Sequence, residues 1–243
     1  MLAAIVASGS ALGQARSDAA REKRWADQVV PGLVVGDAVY LRLPEGVRFL
    51  ALYAPVQRAR TAVLLTHGPG LHPDHGITGE LRMHLADRGY STLSLQMPVL
   101  AAEDEAGDGY RLLLPEAARR IAAGMAFLQE NGAQRISIVS HAMGSAMAYE
   151  YLRKEPKAPL SAWVALSYYG VFQEMTGARF PIFDLYGASD YRGIRAPAEE
   201  RARILRALPG SKQLAVPEGG RFLAGAERTV LREVAAFLDG AAR

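Results

Sequence analysis

Imidazoles and carboxylates crowd one segment of the chain, where His67, His72, Asp74 and His75 fall within nine residues of each other. Such groups can ligate a metal or pass protons. Their spacing fits no zinc signature, and Pro73-Asp74 marks a turn, so the expectation is a loop braced by His67, with no metal and no cofactor. A second candidate is Ser140-His141-Ala142-Met143-Gly144, set between an apolar run and a helical one. A strand-to-helix turn that presents a nucleophile is sharp, and needs small residues two before and two after its apex. Ser140 and Gly144 meet that demand, and Ser145-Ala146 lets the helix pack closely. The apex, however, is Ala142, whose methyl group cannot attack a carbonyl. His141 reads as a packing neighbour of the turn, with a pocket-facing ring as the alternative. Ser140 and Ser145 read as small packing residues.

A third candidate is Asp184, the one acid in the apolar run PIFDLYG. A buried carboxylate requires a partner or a raised pKa. Asp184 is therefore either a functional group, or an acid at a sheet edge or bonded to loop amides. Tyr168, Tyr169, Phe172 and Tyr186 follow neighbouring strands and either line a pocket or fill the core.

Elements that could position these residues alternate along the chain. DAVYLRL and VRFLALYAP predict two strands joined by a hairpin turn at PEG. Strands are then expected at Thr61–His67, STLSLQMP, RISIVSH, AWVALSYYG, PIFDLYGASD and KQLAVPEG. Helices are expected at TGELRMHLADRGY, Pro115–Gln129 with Pro in its first turn, MGSAMAYEYLRKE, Pro197–Leu208 and Ala226–Leu238. A strand pair followed by repeated strand–helix units predicts an α/β protein: a mostly parallel sheet of about eight strands, covered on both faces. The longest irregular stretch runs from Pro98 to Pro115 and carries Glu103, Asp104, Glu105 and Asp108. Nothing the size of a cap domain separates SYYG from PIFD.

The 243 residues suit a single domain with a sizeable core. The formal charge of +3, from 28 basic and 25 acidic residues, is small and scattered, which argues against nucleic-acid binding. No apolar run reaches the roughly 18–20 residues of a spanning helix, so no integral membrane association is expected. With no Cys, disulfides, thiolate metal sites and cysteine nucleophiles are excluded. MLAAIVASGSALGQA resembles the apolar centre and small-x-small cleavage site of a secretory signal, although it lacks an early Lys or Arg. The expected organisation is a signal peptide at 1–15, a helical lead-in at 16–37 and one α/β domain at 38–243. That implies a periplasmic or secreted protein, or a cytoplasmic one if the leader is not a signal.

Taken together, these motifs resemble the α/β-hydrolase fold, from about Ala38 to the C-terminus. LLTHGPG looks like the His-Gly loop after the third strand, which in that fold helps to form the oxyanion hole. VSHAMGS looks like the nucleophile elbow, and LYGASD like the turn that presents the triad acid, at Asp190. PEGGRFLAGAE looks like the segment that carries the triad histidine, with Arg221 at the base position. More narrowly, HGPGLHPD, STLSLQMP and FDLYGASDY resemble an exported bacterial family of α/β-hydrolase-like proteins without an assigned activity.

The resemblance implies a degenerate triad: Asp190 retained, Ala142 in place of Ser, Arg221 in place of His. No histidine lies beyond His141, and a guanidinium cannot take a proton from a hydroxyl. Of the oxyanion donors, the Met143 N–H is available, and the second falls in the loop at Gly68, Pro69 or Gly70. Pro69 would have no N–H to give. The expected pocket gathers His67, Gly68, Gly70, His141, Met143 and Asp190, with Asp190–Arg221 as a candidate ion pair and a small anionic or acyl molecule as ligand. The first reading is thus an exported ligand-binding or accessory protein. The second is an active ester-type hydrolase or lyase working through displaced groups, His67, His141 or Asp184. The third is an ordinary serine esterase inactivated at Ala142.

Overall fold

The computed structural model describes residues 17–104, 109–155 and 157–241. The leader-like segment 1–15, and Glu105 and Asp108 of the acidic stretch, lie outside the described residues.

Short apolar runs bounded by turns form one eight-stranded sheet. Its strands are β1 (Asp37–Arg42), β2 (Arg48–Ala54), β3 (Thr61–Thr66), β4 (Ser91–Leu95), β5 (Arg135–His141), β6 (Leu160–Leu166), β7 (Ile182–Gly187) and β8 (Lys212–Val216). Their order is β1-β2-β4-β3-β5-β6-β7-β8. Strand β2 runs antiparallel to both of its neighbours, and every other pairing is parallel. The helices are α1 (Ala19–Val29), α2 (Gly76–Asp87), α3 (Tyr110–Glu130), α4 (Met143–Lys154), α5 (Arg192–Arg195), α6 (Ala198–Leu205) and α7 (Glu227–Ala241).

Successive residues of a strand serve opposite faces. On β3, Leu64 packs with Leu95, Ile138 and Trp163 under α3 and α4, whereas Val63 and Leu65 pack with Leu85, Val164 and Val234 under α2 and α7. Both faces are buried, which explains why the central strands are nearly continuous runs of apolar residues. Strand order reverses at β3, so a crevice opens beyond the carboxyl ends of β3 and β5.

Helices α3 and α6 depart from expectation. Helix α3 begins at Tyr110, upstream of the expected first turn at Pro115. The buried row Tyr110, Leu113, Ala117 and Ile121 continues through that point, and Pro115 forfeits only one early intrahelical bond. Helix α6 stops at Leu205, where the chain tightens: the N–H groups of Ala207 and Leu208 bond to the carbonyls three residues back, at 3.1 and 3.0 Å.

Helix α1, capped by Asp18 through a 2.9 Å bond from the Arg21 N–H, is fastened by buried charge. Arg120, on α3, donates to Glu22 at 2.9 Å, to Glu116 at 2.5 Å and to the Gln96 carbonyl at 2.8 Å. The Ser17 hydroxyl bonds to Glu22 and accepts the Val99 N–H at 2.7 Å.

Candidate functional site

The site begins where β5 turns into α4. Ala142 sits at the apex with φ 51° and ψ −114°, a conformation that L residues rarely adopt. The turn is possible because Gly144 has no side chain: a Cβ there would lie 2.5 Å from the His67 carbonyl oxygen. This is the geometry of a nucleophile elbow, presenting a methyl group.

Beside the apex lies a cleft of about 360 Å³, lined by Pro69, Tyr110, Arg111, Leu114, Ala142, Met143, Ala146, Tyr169, Tyr191 and Phe222. The Tyr169 hydroxyl donates to the Met143 sulfur at 2.9 Å. Of the loop donors, Pro69 faces the cleft without an N–H, and the Gly70 N–H is given to the Tyr110 hydroxyl at 2.7 Å. Gly68 stands over the elbow, close enough that a Cβ on it would be 3.6 Å from the Ala142 methyl.

His67 is buried and fully engaged. Its Nε2 accepts the Met97 N–H at 2.9 Å and lies 3.1 Å from the Gln96 amide nitrogen, so Nδ1 carries the proton and donates to the Gly68 carbonyl at 2.8 Å. Burial lowers its pKa to about 3. The ring thus ties the His-Gly loop to the end of β4. His141 is also buried, and burial lowers it to about 4. Its Nε2 has no hydrogen-bond partner among the described residues, and neither ring lines the cleft.

Asp190 lies under the cleft wall, 1% exposed. One carboxylate oxygen accepts the Ser167 hydroxyl at 2.8 Å; the other accepts the backbone N–H groups of Tyr191 at 2.9 Å and Phe222 at 3.0 Å. The expected pair with Arg221 is not formed. Arg221 is exposed, with its guanidinium 5.1 Å from the centre of the Phe222 ring, and makes no ion pair among the described residues. The side chain that reaches the cleft from this segment is Phe222. Two consecutive left-handed residues, Phe222 and Leu223 (φ 54° and 68°), turn the chain there. The segment crosses hard against β7, because a Cβ on Gly187 would lie 2.4 Å from the Gly219 carbonyl oxygen.

Each hydroxyl around the elbow is committed elsewhere. Ser140 donates to the Val164 carbonyl at 3.0 Å and accepts the Trp163 indole N–H at 2.8 Å. Ser145 donates to the Leu166 carbonyl at 3.3 Å, and Ser167 donates to Asp190. None is bonded to an imidazole.

Asp184, Asp74, His72 and His75 lie apart from the cleft. Asp184 is on an interior strand, so the sheet-edge and loop-amide explanations both give way to a buried ion pair. Its Oδ2 accepts Arg201 Nε and Gln213 Nε2, each at 2.7 Å, and neither carboxylate nor guanidinium is exposed. Burial holds this carboxyl above the usual range in spite of those donors. Asp74 pairs with Arg82 at 2.6 Å, and His72 packs between Trp25 and His75. Among the described residues no group of three or more His, Asp or Glu is placed to hold a metal ion, and no helix is long and apolar enough to cross a membrane. Tyr168 and Phe172 fill the core around Trp163, whereas Tyr169 reaches the cleft. Tyr110 and Tyr191 were not anticipated; the only sequence signal for Tyr191 is its place next to Asp190.

The fold has counterparts among solved structures. A protein of unknown function from Agrobacterium tumefaciens, named as a candidate α/β hydrolase, superposes with a TM-score of 0.68 at 15% identity over 83% of this chain and 94% of its own. The α/β-hydrolase fold is the fold of this chain. Dienelactone hydrolase from Anabaena variabilis also gives 0.68, at 18% identity over 84% of this chain and 96% of its own. Est1E from Butyrivibrio proteoclasticus with ferulic acid bound gives 0.67, at 13% identity over 84% and 99%. No protein-family model and no curated protein matches the chain. Within this α/β-hydrolase fold there is no cap domain between β6 and β7: the two strands are joined by residues 167–181 alone.

Proposed function

We propose that the protein is an exported α/β-hydrolase-fold protein that no longer hydrolyses esters and instead binds a small acyl or aryl molecule in the cleft at the elbow. One observation carries the reading: among the described residues, the serines beside the elbow, Ser140, Ser145 and Ser167, bond to carbonyls or to Asp190 and none to an imidazole, so none is activated as a nucleophile. Ala142 stands at the nucleophile position, Phe222 reaches the cleft beside the Arg221 position, and Pro69 removes a backbone donor. The lining, mostly apolar with Arg111 as its charged member, suits an acyl chain or an aromatic ring. Export rests on the leader-like segment 1–15; N-terminal sequencing of protein recovered from a periplasmic extract tests it, a start near Arg16 supporting export and an intact Met1 opposing it.

Displaced-group catalysis is weakened by the same bonds, since both nitrogens of His67 are engaged and Asp184 is paired with Arg201. The deciding experiment is fluorophosphonate labelling, with turnover of short-chain aryl esters, for the wild type, A142S, A142S/F222H and A142S/R221H. Labelling is expected only in A142S/F222H, and weakly, because Pro69 remains. Wild-type turnover that disappears in His141→Gln would overturn the reading, and restoration by A142S alone would favour an inactivated esterase.

A further inference from the structure

We infer that the cleft selects a planar aromatic ring, and that Asp190, the retained triad acid, now serves as the positioning residue for the aromatic wall that does so. The inference rests on the binding reading above and names the class of ligand.

Three segments supply that wall: Tyr169 from the loop after β6, Tyr191 from the start of α5, and Phe222 from the turn before α7. A single carboxylate gathers all three. Asp190 Oδ1 accepts the N–H groups of both Tyr191 and Phe222, and Oδ2 accepts the hydroxyl of Ser167, two residues before Tyr169. Ser167 and Phe222 are both held at positive φ, 48° and 54°, conformations that persist only where surrounding contacts impose them. The result is an ordered set of rings. Phe222 meets Tyr191 edge to face at 5.7 Å and 71°, and meets His141 at 5.9 Å and 83°. Pro69, Leu114 and Met143, whose sulfur accepts the Tyr169 hydroxyl, complete the apolar lining. Edges and faces of rings, with a thioether, favour an aryl group over a saturated ring of equal size, through its quadrupole and through sulfur–aromatic contact. All three donors to the Asp190 carboxylate are neutral, so this role requires an acceptor in place and no proton transfer.

The test uses matched pairs, phenylacetate against cyclohexylacetate and benzoate against cyclohexanecarboxylate, titrated into the full-length protein by ligand-observed NMR. Aryl members should bind at least about threefold more tightly, and Phe222→Leu should abolish that preference. Asp190→Ala should weaken aryl binding about tenfold, the scale of losing a buried acceptor shared by several donors, and should accelerate hydrogen exchange at Phe222 and Leu223. Asp190→Asn, which keeps an acceptor oxygen, should rescue both readouts. Should Asp190→Ala fail to fold, Ser167→Ala disturbs one oxygen only and should give a smaller loss in the same direction. Equal affinity for aryl and saturated partners overturns the ligand class. An inert Asp190→Ala, or an Asp190→Asn as damaged as the alanine variant, overturns the positioning role. If no probe binds the wild type, the binding reading and the ligand class fail together, and the exchange comparison still decides the role of Asp190.

Discussion

Asp184 and Asp190 are six residues apart, both buried, and answered by different chemistry. Asp184 meets a charge: Arg201 and Gln213 share one of its oxygens, while Asp184 Oδ1 and Arg201 Nη2 are left without partners among the described residues. The Asp190 carboxylate accepts from neutral donors, a hydroxyl and two backbone N–H groups, which together use both of its oxygens. The first carboxylate is bound into the packing of β7, α6 and β8, where losing a partner strands a charge. The second is held by neutral donors from three separate segments. Burial alone therefore does not fix how a carboxylate is held; the kind of donor does.

The contrast can be broken by mutation. Arg201→Met leaves Asp184 buried and unpaired, and should cost about 3–5 kcal/mol by denaturant unfolding. Asp190→Ala removes an acceptor without stranding a charge and should cost about 1–3 kcal/mol. Equal losses would mean that the two sites do not differ as described.

Acid should expose the buried imidazoles next. Burial lowers His67 to about 3 and His141 to about 4, so the folded protein keeps both neutral while the unfolded chain protonates them near 6.5. Their stabilising contribution is complete above pH 6.5 and is lost as pH falls from there towards the folded values. Each should add about 1.4 kcal/mol per pH unit within that window. His67→Gln should flatten the slope of stability against pH, and an unchanged slope would remove His67 from the account.

Smaller effects sharpen the elbow. Ala142→Gly should raise stability by about 1 kcal/mol, because glycine relieves the positive φ. Arg221→Ala should change stability by less than about 0.5 kcal/mol, as expected for an exposed side chain without an ion pair. A large loss there would restore the Asp190–Arg221 pair that the structure lacks.

The elbow, the His-Gly loop and the acid turn were legible because each rests on local chemistry: small residues around an apex, a glycine against a carbonyl, an aspartate after a strand. The aromatic wall was not. Phe222 and Leu223 turn the chain through left-handed conformations with no glycine at either position to announce it, so counting along PEGGRFL pointed to Arg221. Pro115 concealed the true start of α3 and with it Tyr110. The partner of Asp184 lies on α6, and only the assembled sheet brings Arg201 to it.

Helix α1 bears on how the protein is prepared. Its Glu22 neutralises a guanidinium sunk in the body, and Arg21 and Trp25 reach the loop beside the crevice. A shortened clone starting at the first strand would leave Arg120 with half its counter-charge and uncover Leu50 and Leu52. Aggregation of such a product would reflect where it was cut, and a workable recombinant version should retain everything from Ser17 onward.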